Sequence, residues 1–165
     1  MMTFTDDNLR WVWVYFLKHK NQAFEVFKSW LAMVENEFEK KLKVMRCDGG
    51  GEYINAPFKA FFEEHGIQWE ITSPQTPEQN GLAEHQNRTI VEGGITNLID
   101  AELPLFLWPH TFAYFAYIKN RTPTAALPAN QTPYILRYNE HLILTSYIVL
   151  AVLPGFTPQN PSAIN

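Results

Sequence analysis

The chain has 165 residues, 46% apolar and 15% aromatic, which suits one packed domain and excludes a disordered one. Thirteen basic against seventeen acidic side chains leave a net charge of −4, which excludes a whole-chain basic field and leaves only a local patch for a phosphate backbone. A single cysteine, Cys47, excludes an internal disulfide and points to a reducing compartment.

In chain order, residues 11–17 (W-V-W-V-Y-F-L) are aromatic and β-branched on both parities and predict a strand buried on both faces. From 21 to 39 the period changes. Ala23, Phe27, Trp30, Leu31, Val34 and Phe38 recur at helical spacing and predict an amphipathic helix. Residues 42–47 alternate apolar and polar, as a strand does. That strand runs into Asp48 and three glycines, Gly49 to Gly51, which permit a sharp turn beneath the acid. Cys47 reads as a small buried strand residue rather than a nucleophile.

Residues 55–65 predict a helix, with Asn55 as N-cap, Pro57 in the first turn, Phe58, Phe61 and Phe62 on one face, and Gly66 closing it. Residues 67–71 are a strand. Residues 72–80 (T-S-P-Q-T-P-E-Q-N) carry two prolines and no apolar side chain, and predict an exposed loop. A long helix is expected from 81 to 100, weakened and bent or broken at Gly93-Gly94. Residues 105–121 predict a helical stretch rich in Phe, Tyr and Trp, and for its part from Trp108 to Tyr117 core is the first reading and a subunit contact the second. Residues 122–133 read as an extended connection, and beyond Arg137 the periodicity fades. Strands alternating with helices imply an α/β sandwich with parallel strands. The amino-terminal segment lacks the basic region and apolar core of a signal peptide. Residues 142–153, the longest apolar run, are too short to cross a bilayer as a helix. A soluble intracellular protein is expected.

Two acids stand out by context. Asp48 ends a strand before glycine, and Glu84 lies one turn into a helix after a polar loop, with 35 residues between them. Among 17 acids such a spacing means little alone. The strings around them are more specific: R-C-D-G-G-G-E-Y from Arg46, and T-P-E-Q-N-G-L-A-E-H-Q-N-R-T-I from Thr76. They resemble the second and third acid motifs of copia-type retrotransposon integrases, R-S-D-N-G-G-E-Y and T-P-Q-Q-N-G-V-A-E-R-x-N-R-T, where the separation is also 35. Residues 3–18 resemble the family's second and third strands with their turn. Leu107-Trp108, the K-N-R-T-P-T run from Lys119 and Thr132-Pro133-Tyr134 resemble its later segments. The likeness covers residues 3 to 140.

The resemblance implies an α/β fold of the ribonuclease-H-like type, a mixed sheet flanked by helices and truncated here at the first strand. It implies a core over 1–140 and a divergent, loosely ordered tail over 141–165. It implies DNA integration by phosphoryl transfer, with 3′-end processing and strand transfer assisted by two Mg²⁺ or Mn²⁺ ions on hard oxygen ligands. Asp48 and Glu84 are then the catalytic, metal-binding acids. The family's first acid sits in an Asp-x-x-G-P motif that this sequence lacks, so the chain by itself is expected not to join DNA. Asp6 and Asp7 match a family pair in a turn and read as turn and cap acids. Gly49 stands where the family usually has Asn, and Leu9 where Ser is common.

Nucleic-acid contacts are expected from Asn87 and Arg88, which share a helix face with Glu84, and from Gln75, Gln79 and Asn80 of the polar loop. His85 points about 100° away from Glu84 on a helix and falls outside the site. The five histidines show no zinc-finger spacing with cysteine. Element ends and target DNA, further copies of the chain and a nuclear location are the partners and place implied, with no membrane. The alternative is a co-opted module that binds nucleic acid or protein without catalysis.

Overall fold

The computed structural model describes residues 1–48, 56–72 and 77–139. The glycine turn after Asp48, the N-cap at Asn55, Gln75 and the tail from 141 lie outside the described residues. The elements are β1 (Met2–Thr5), β2 (Val12–Tyr15), α1 (Ala23–Phe38), β3 (Val44–Asp48), α2 (Ala56–His65), β4 (Gln68–Thr72), α3 (Pro77–Asp100), α4 (Trp108–Lys119) and α5 (Pro133–Tyr138). Short 3-10 turns at Lys20–Gln22 and Leu105–Leu107 lead into α1 and α4. The described strands form two two-stranded sheets, β1 with β2 and β3 with β4. Two compact units result: Met1–Met2 with Tyr15–Asn87, and Thr3–Val14 with the chain from Arg88 onward.

In the first unit β3 and β4 run parallel, with Val44 opposite Gln68 and Asp48 opposite Thr72. The alternation read in the sequence sets the cross-strand pairs. Met45 faces Trp69, and Arg46 faces Glu70, whose Oε2 accepts from Arg46 Nε and Nη2 at 3.0 and 2.9 Å. Trp69 Nε1 donates to Cys47 Sγ at 3.0 Å. Cys47 is half-buried rather than fully enclosed, because its short side chain lies under one indole edge.

Helix α1 buries Ala23, Phe27, Trp30 and Leu31 of the stripe expected from the spacing, while Val34 and Phe38, further along it, are half-buried. Phe27 meets Phe58 and Phe62 of α2 at ring separations of 5.4 Å each. Phe62 meets Trp69 of β4 at 5.5 Å. Phe27 and Phe62 meet edge to face and the other two pairs are tilted; such pairs add to their area burial, so one aromatic column ties α1, α2 and β4.

Glu35 fastens the end of α1 to the approach to β3. One oxygen accepts from the Leu42 backbone N–H at 2.9 Å and the other from Lys41 Nζ at 2.6 Å. Burial opposes the charge, but these two hydrogen bonds, with the charges of Lys41 and His65, outweigh it and hold the carboxyl below the usual glutamate range. A lowered folded pKa stabilises above the unfolded value and is lost as pH falls through the folded one. Glu35→Gln is therefore expected to cost about 0.5–1 kcal/mol near pH 7. The deficit shrinks to nothing as pH falls well below 4.5, the ordinary glutamate value. Thermal denaturation of both proteins from pH 3 to 7 measures this, and a pH-independent deficit refutes it.

In the second unit β1 and β2 are joined by residues 6–11, too short for a parallel crossover and suited to a hairpin. Asp6 Oδ1 accepts from the N–H groups of Asn8 and Leu9 at 3.0 and 2.6 Å, and Asp7 pairs with Arg10 at 2.9 Å. These are turn acids, as expected. Strand β2 is shorter than the run 11–17 and is not buried on both faces: Trp11 and Val12 are buried, Trp13 to Leu17 half-buried. The cover over Trp11 and Trp13 includes the Arg137 guanidinium, 4.2 and 4.9 Å from the ring centroids. A guanidinium over an aromatic face is attracted by the ring quadrupole.

Helix α3 runs through Gly93-Gly94 without a break, contrary to the expectation from propensity. At both positions the missing Cβ makes room for rings of α4: a Cβ on Gly93 would stand 2.1 Å from the Phe115 ring, and one on Gly94 2.2 Å from Phe112. Packing of α4 decides here, and it outweighs the propensity cost of about 1 kcal/mol per glycine. Helix α4 buries Thr111, Phe112 and Ala116, so its aromatic run is core on that side. Helix α5 was not legible in the sequence. Thr132 caps it by accepting from the Ile135 N–H at 3.1 Å, with Pro133 in the first turn, the arrangement that starts helices. Six residues are too few for periodicity to show.

Candidate active site

Asp48 is the last residue of β3, level with Thr72, the last of β4. Two parallel strands thus end together, and from Thr72 the chain re-enters helix at Pro77. Glu84 lies seven residues into α3, about 10 Å along its axis at the usual rise. Its side chain is exposed, as are those of Asn87 and Arg88, three and four positions on. Asp48 and Glu84 belong to the same compact unit. His85 is also exposed.

Gln79 and Asn80 do not lie in a loop. The helix begins at Pro77, so both fall in its first turns, and residues 73–76 of the expected loop lie outside the described residues. The physical reason was available in the sequence. Proline at the first helical position needs no N–H partner and has the right φ, and Glu78 behind it suits the positive end of the helix dipole.

Hard carboxylates such as Asp48 and Glu84 are the donors that Mg²⁺ or Mn²⁺ take. Among the described residues no group of three or more His, Cys, Asp or Glu is gathered to hold a metal ion.

Sequence reasoning missed Asn120, in the K-N-R-T-P-T run. It is buried, its Oδ1 accepts from the Val12 N–H at 2.9 Å, and its Nδ2 donates to the Val12 carbonyl at 2.8 Å. The amide acts as a one-residue strand neighbour for β2. Nothing in periodicity marks such a residue. Beside it, burial pushes the Lys119 ammonium below the usual lysine range.

The fold defines the class. The chain aligns with the simian T-cell lymphotropic virus intasome determined with PP2A regulatory subunit B56 gamma at a TM-score of 0.66 and 15% identity, over 96% of this chain and 51% of that one. It aligns with the HTLV-2 integrase catalytic core domain, determined with magnesium in a trimeric form, at 0.60 and 18% identity over 82% of each chain. At these identities the likeness is one of fold: the ribonuclease-H-like α/β core of retroviral integrases.

Sequence narrows this. Residues 1–77 match the Integrase core domain family. The chain is 45% identical over 126 residues to the retrovirus-related Pol polyprotein from transposon TNT 1-94 of Nicotiana tabacum, over 76% of this chain and 10% of that polyprotein. The chain belongs to the integrase core family, in its copia-type retrotransposon branch. It spans about a tenth of the length of the curated relatives it matches. Among the described residues no helix is long and apolar enough to cross a membrane.

Proposed function

We propose that this chain is the part of a retrotransposon integrase core that contributes Asp48 and Glu84 to DNA strand transfer, and that alone it does not carry the reaction out. In that reaction a DNA 3′-hydroxyl attacks a target phosphodiester in line. A new P–O bond forms, the old one breaks, and the target strand leaves with a free 3′-hydroxyl. The observation that carries the reading is the pair of motifs around Asp48 and Glu84, one at the end of β3 and the other on the exposed side of α3. Mg²⁺ or Mn²⁺ is the cation these oxygens suit, and two ions need a third acid that the 165 residues do not supply in an Asp-x-x-G-P motif. Asn87 and Arg88 are assigned to DNA phosphate or base edges, with Gln79 and Asn80 at the start of the same helix. Retroelement ends and target DNA are the substrates, reached in the nucleus by a multimer of such cores.

The test is a strand-transfer assay with Mn²⁺ on the purified chain, beside a longer protein in which the chain is joined to an amino-terminal segment carrying an Asp-x-x-G-P motif. The chain alone is expected to give no joined product. The longer protein is expected to give one that Asp48→Asn and Glu84→Gln each abolish, together with binding of two ions by calorimetry. Metal-dependent joining by the chain alone, lost in Asp48→Asn, overturns the inactivity. Joining by the longer protein that survives both substitutions overturns the assignment of the two acids.

A further inference from the structure

The end of α3 and the turn that follows it expose four large apolar side chains. Ile95 and Ile99, one turn apart on α3, are 43% and 66% exposed, and Leu105 and Phe106 in the turn before α4 are 79% and 74% exposed. Isolated exposed apolar residues need no explanation, but here four fall within twelve positions, three of them above 60%, a density of exposed apolar side chains that suits a contact surface.

Its border is acidic. Glu92, Asp100 and Glu102 are all exposed, and no lysine or arginine occurs between Arg88 and Lys119. The acids also sit at the wrong end of a helix. The last turn of α3 holds no basic residue, and Asp100 and Glu102 stand beside its negative pole, where cations are favoured. Glu102 N–H bonds to Ile99 O at 3.0 Å and Leu103 N–H to Leu98 O at 3.0 Å, closing the helix and keeping these acids beside the apolar patch. A cation brought there neutralises both the side chains and the pole.

We infer that this face docks a basic amphipathic helix of a partner protein. A helix is the matching element because Ile95 and Ile99 form an i, i+4 ridge, which packs into the groove of another helix. Charge chooses among occupants. A second copy of the chain in a two-fold contact sets the three acids against themselves, and an anionic membrane surface is repelled. Lysine or arginine flanking an apolar stripe satisfies both parts of the patch.

The test uses the whole chain and two labelled helical peptides of about 18 residues, long enough to hold helix. Both carry the same leucine stripe at i, i+4 and i+7, one with lysine and the other with glutamate on its flanks. Fluorescence anisotropy is expected to show the lysine peptide binding at least about tenfold more tightly. Ile99→Ser and Phe106→Ser should each weaken it by about tenfold, at unchanged thermal midpoints because both side chains are exposed. Asp100→Asn with Glu102→Gln should weaken it and flatten its salt dependence. Equal affinity for the two peptides, or indifference to Phe106→Ser, overturns the proposal. So does concentration-dependent self-association that Phe106→Ser abolishes, which makes a second copy the occupant. Asp48→Asn should leave peptide binding unchanged, so failure here and failure of the strand-transfer reading are separately visible.

Discussion

Asn120→Ala is expected to lower the folding stability of this protein by about 3 kcal/mol. The side chain holds both polar groups of one residue of β2: the Val12 N–H reaches Asn120 Oδ1 at 2.9 Å, and Asn120 Nδ2 reaches the Val12 carbonyl at 2.8 Å. Val12 and Asn120 are 2% and 3% exposed, so water does not replace the amide freely. Each buried group left without a partner costs about 1–3 kcal/mol. The Asn120 backbone contributes separately, since its carbonyl accepts from the Tyr134 N–H at 2.8 Å, and alanine keeps that bond. Asn120→Asp isolates the donor. Its carboxylate still accepts from the Val12 N–H but turns an oxygen toward the Val12 carbonyl. Protonation restores a donor, so the folded pKa of that aspartate is raised and the variant gains stability as pH falls, opposite to the trend expected at Glu35. Urea denaturation should show a lower midpoint with an unchanged slope for Asn120→Ala. A loss below about 0.5 kcal/mol means that the clamp contributes little.

The contrast between Asn120 and Phe27 shows what the sequence made legible. Phe27 belongs to a stripe at helical spacing, and periodicity alone places it in the core, as it does the pairs across β3 and β4. Asn120 joins residues 108 positions apart, and no local pattern encodes such a pairing. The stop of α2 is readable because its chemistry is local, with Gly66 at a φ of 66°, whereas Pro77 reads as loop punctuation and is the first-turn proline of α3. Trp13 was expected in a two-sided core because an apolar run does not reveal that Arg137, more than a hundred residues on, lies over its ring. The candidate acids came from another source. Charge, spacing and burial do not single out Asp48 and Glu84 among 17 acids; only the strings around them do. The exposed face at Ile99 and Phe106 was invisible in sequence for the converse reason. Its residues continue a helical and aromatic pattern that reads as core until the fold leaves them uncovered.

Gly94→Ala is expected to destabilise by about 3 kcal/mol, although alanine is the better helix former by about 1 kcal/mol. A Cβ at 94 would stand 2.2 Å from Phe112 Cδ1 and 2.9 Å from its Cε1 and Cγ. The Phe112 ring is 7% exposed and packs on Trp108 at a ring separation of 5.2 Å. It cannot swing away cheaply, so α3 and α4 must move apart where Gly94 meets Phe112. Gly93→Ala meets Phe115 at 2.1 Å, a shorter approach on paper. Phe115 is only half-buried, however, and its ring can turn toward solvent, so the expected loss there is smaller, about 1 kcal/mol. The order of the two variants thus follows the freedom of the opposing ring rather than the length of the clash. A double-mutant cycle isolates the cause. Phe112→Leu removes the ring edge that blocks position 94, so Gly94→Ala should cost at least 1 kcal/mol less in that background. If the two substitutions add independently, the glycine serves something other than the approach of Phe112. If Gly94→Ala alone is neutral or stabilising, propensity governs α3 after all, and the close packing of the two helices is not what allows it to run unbroken through Gly93-Gly94.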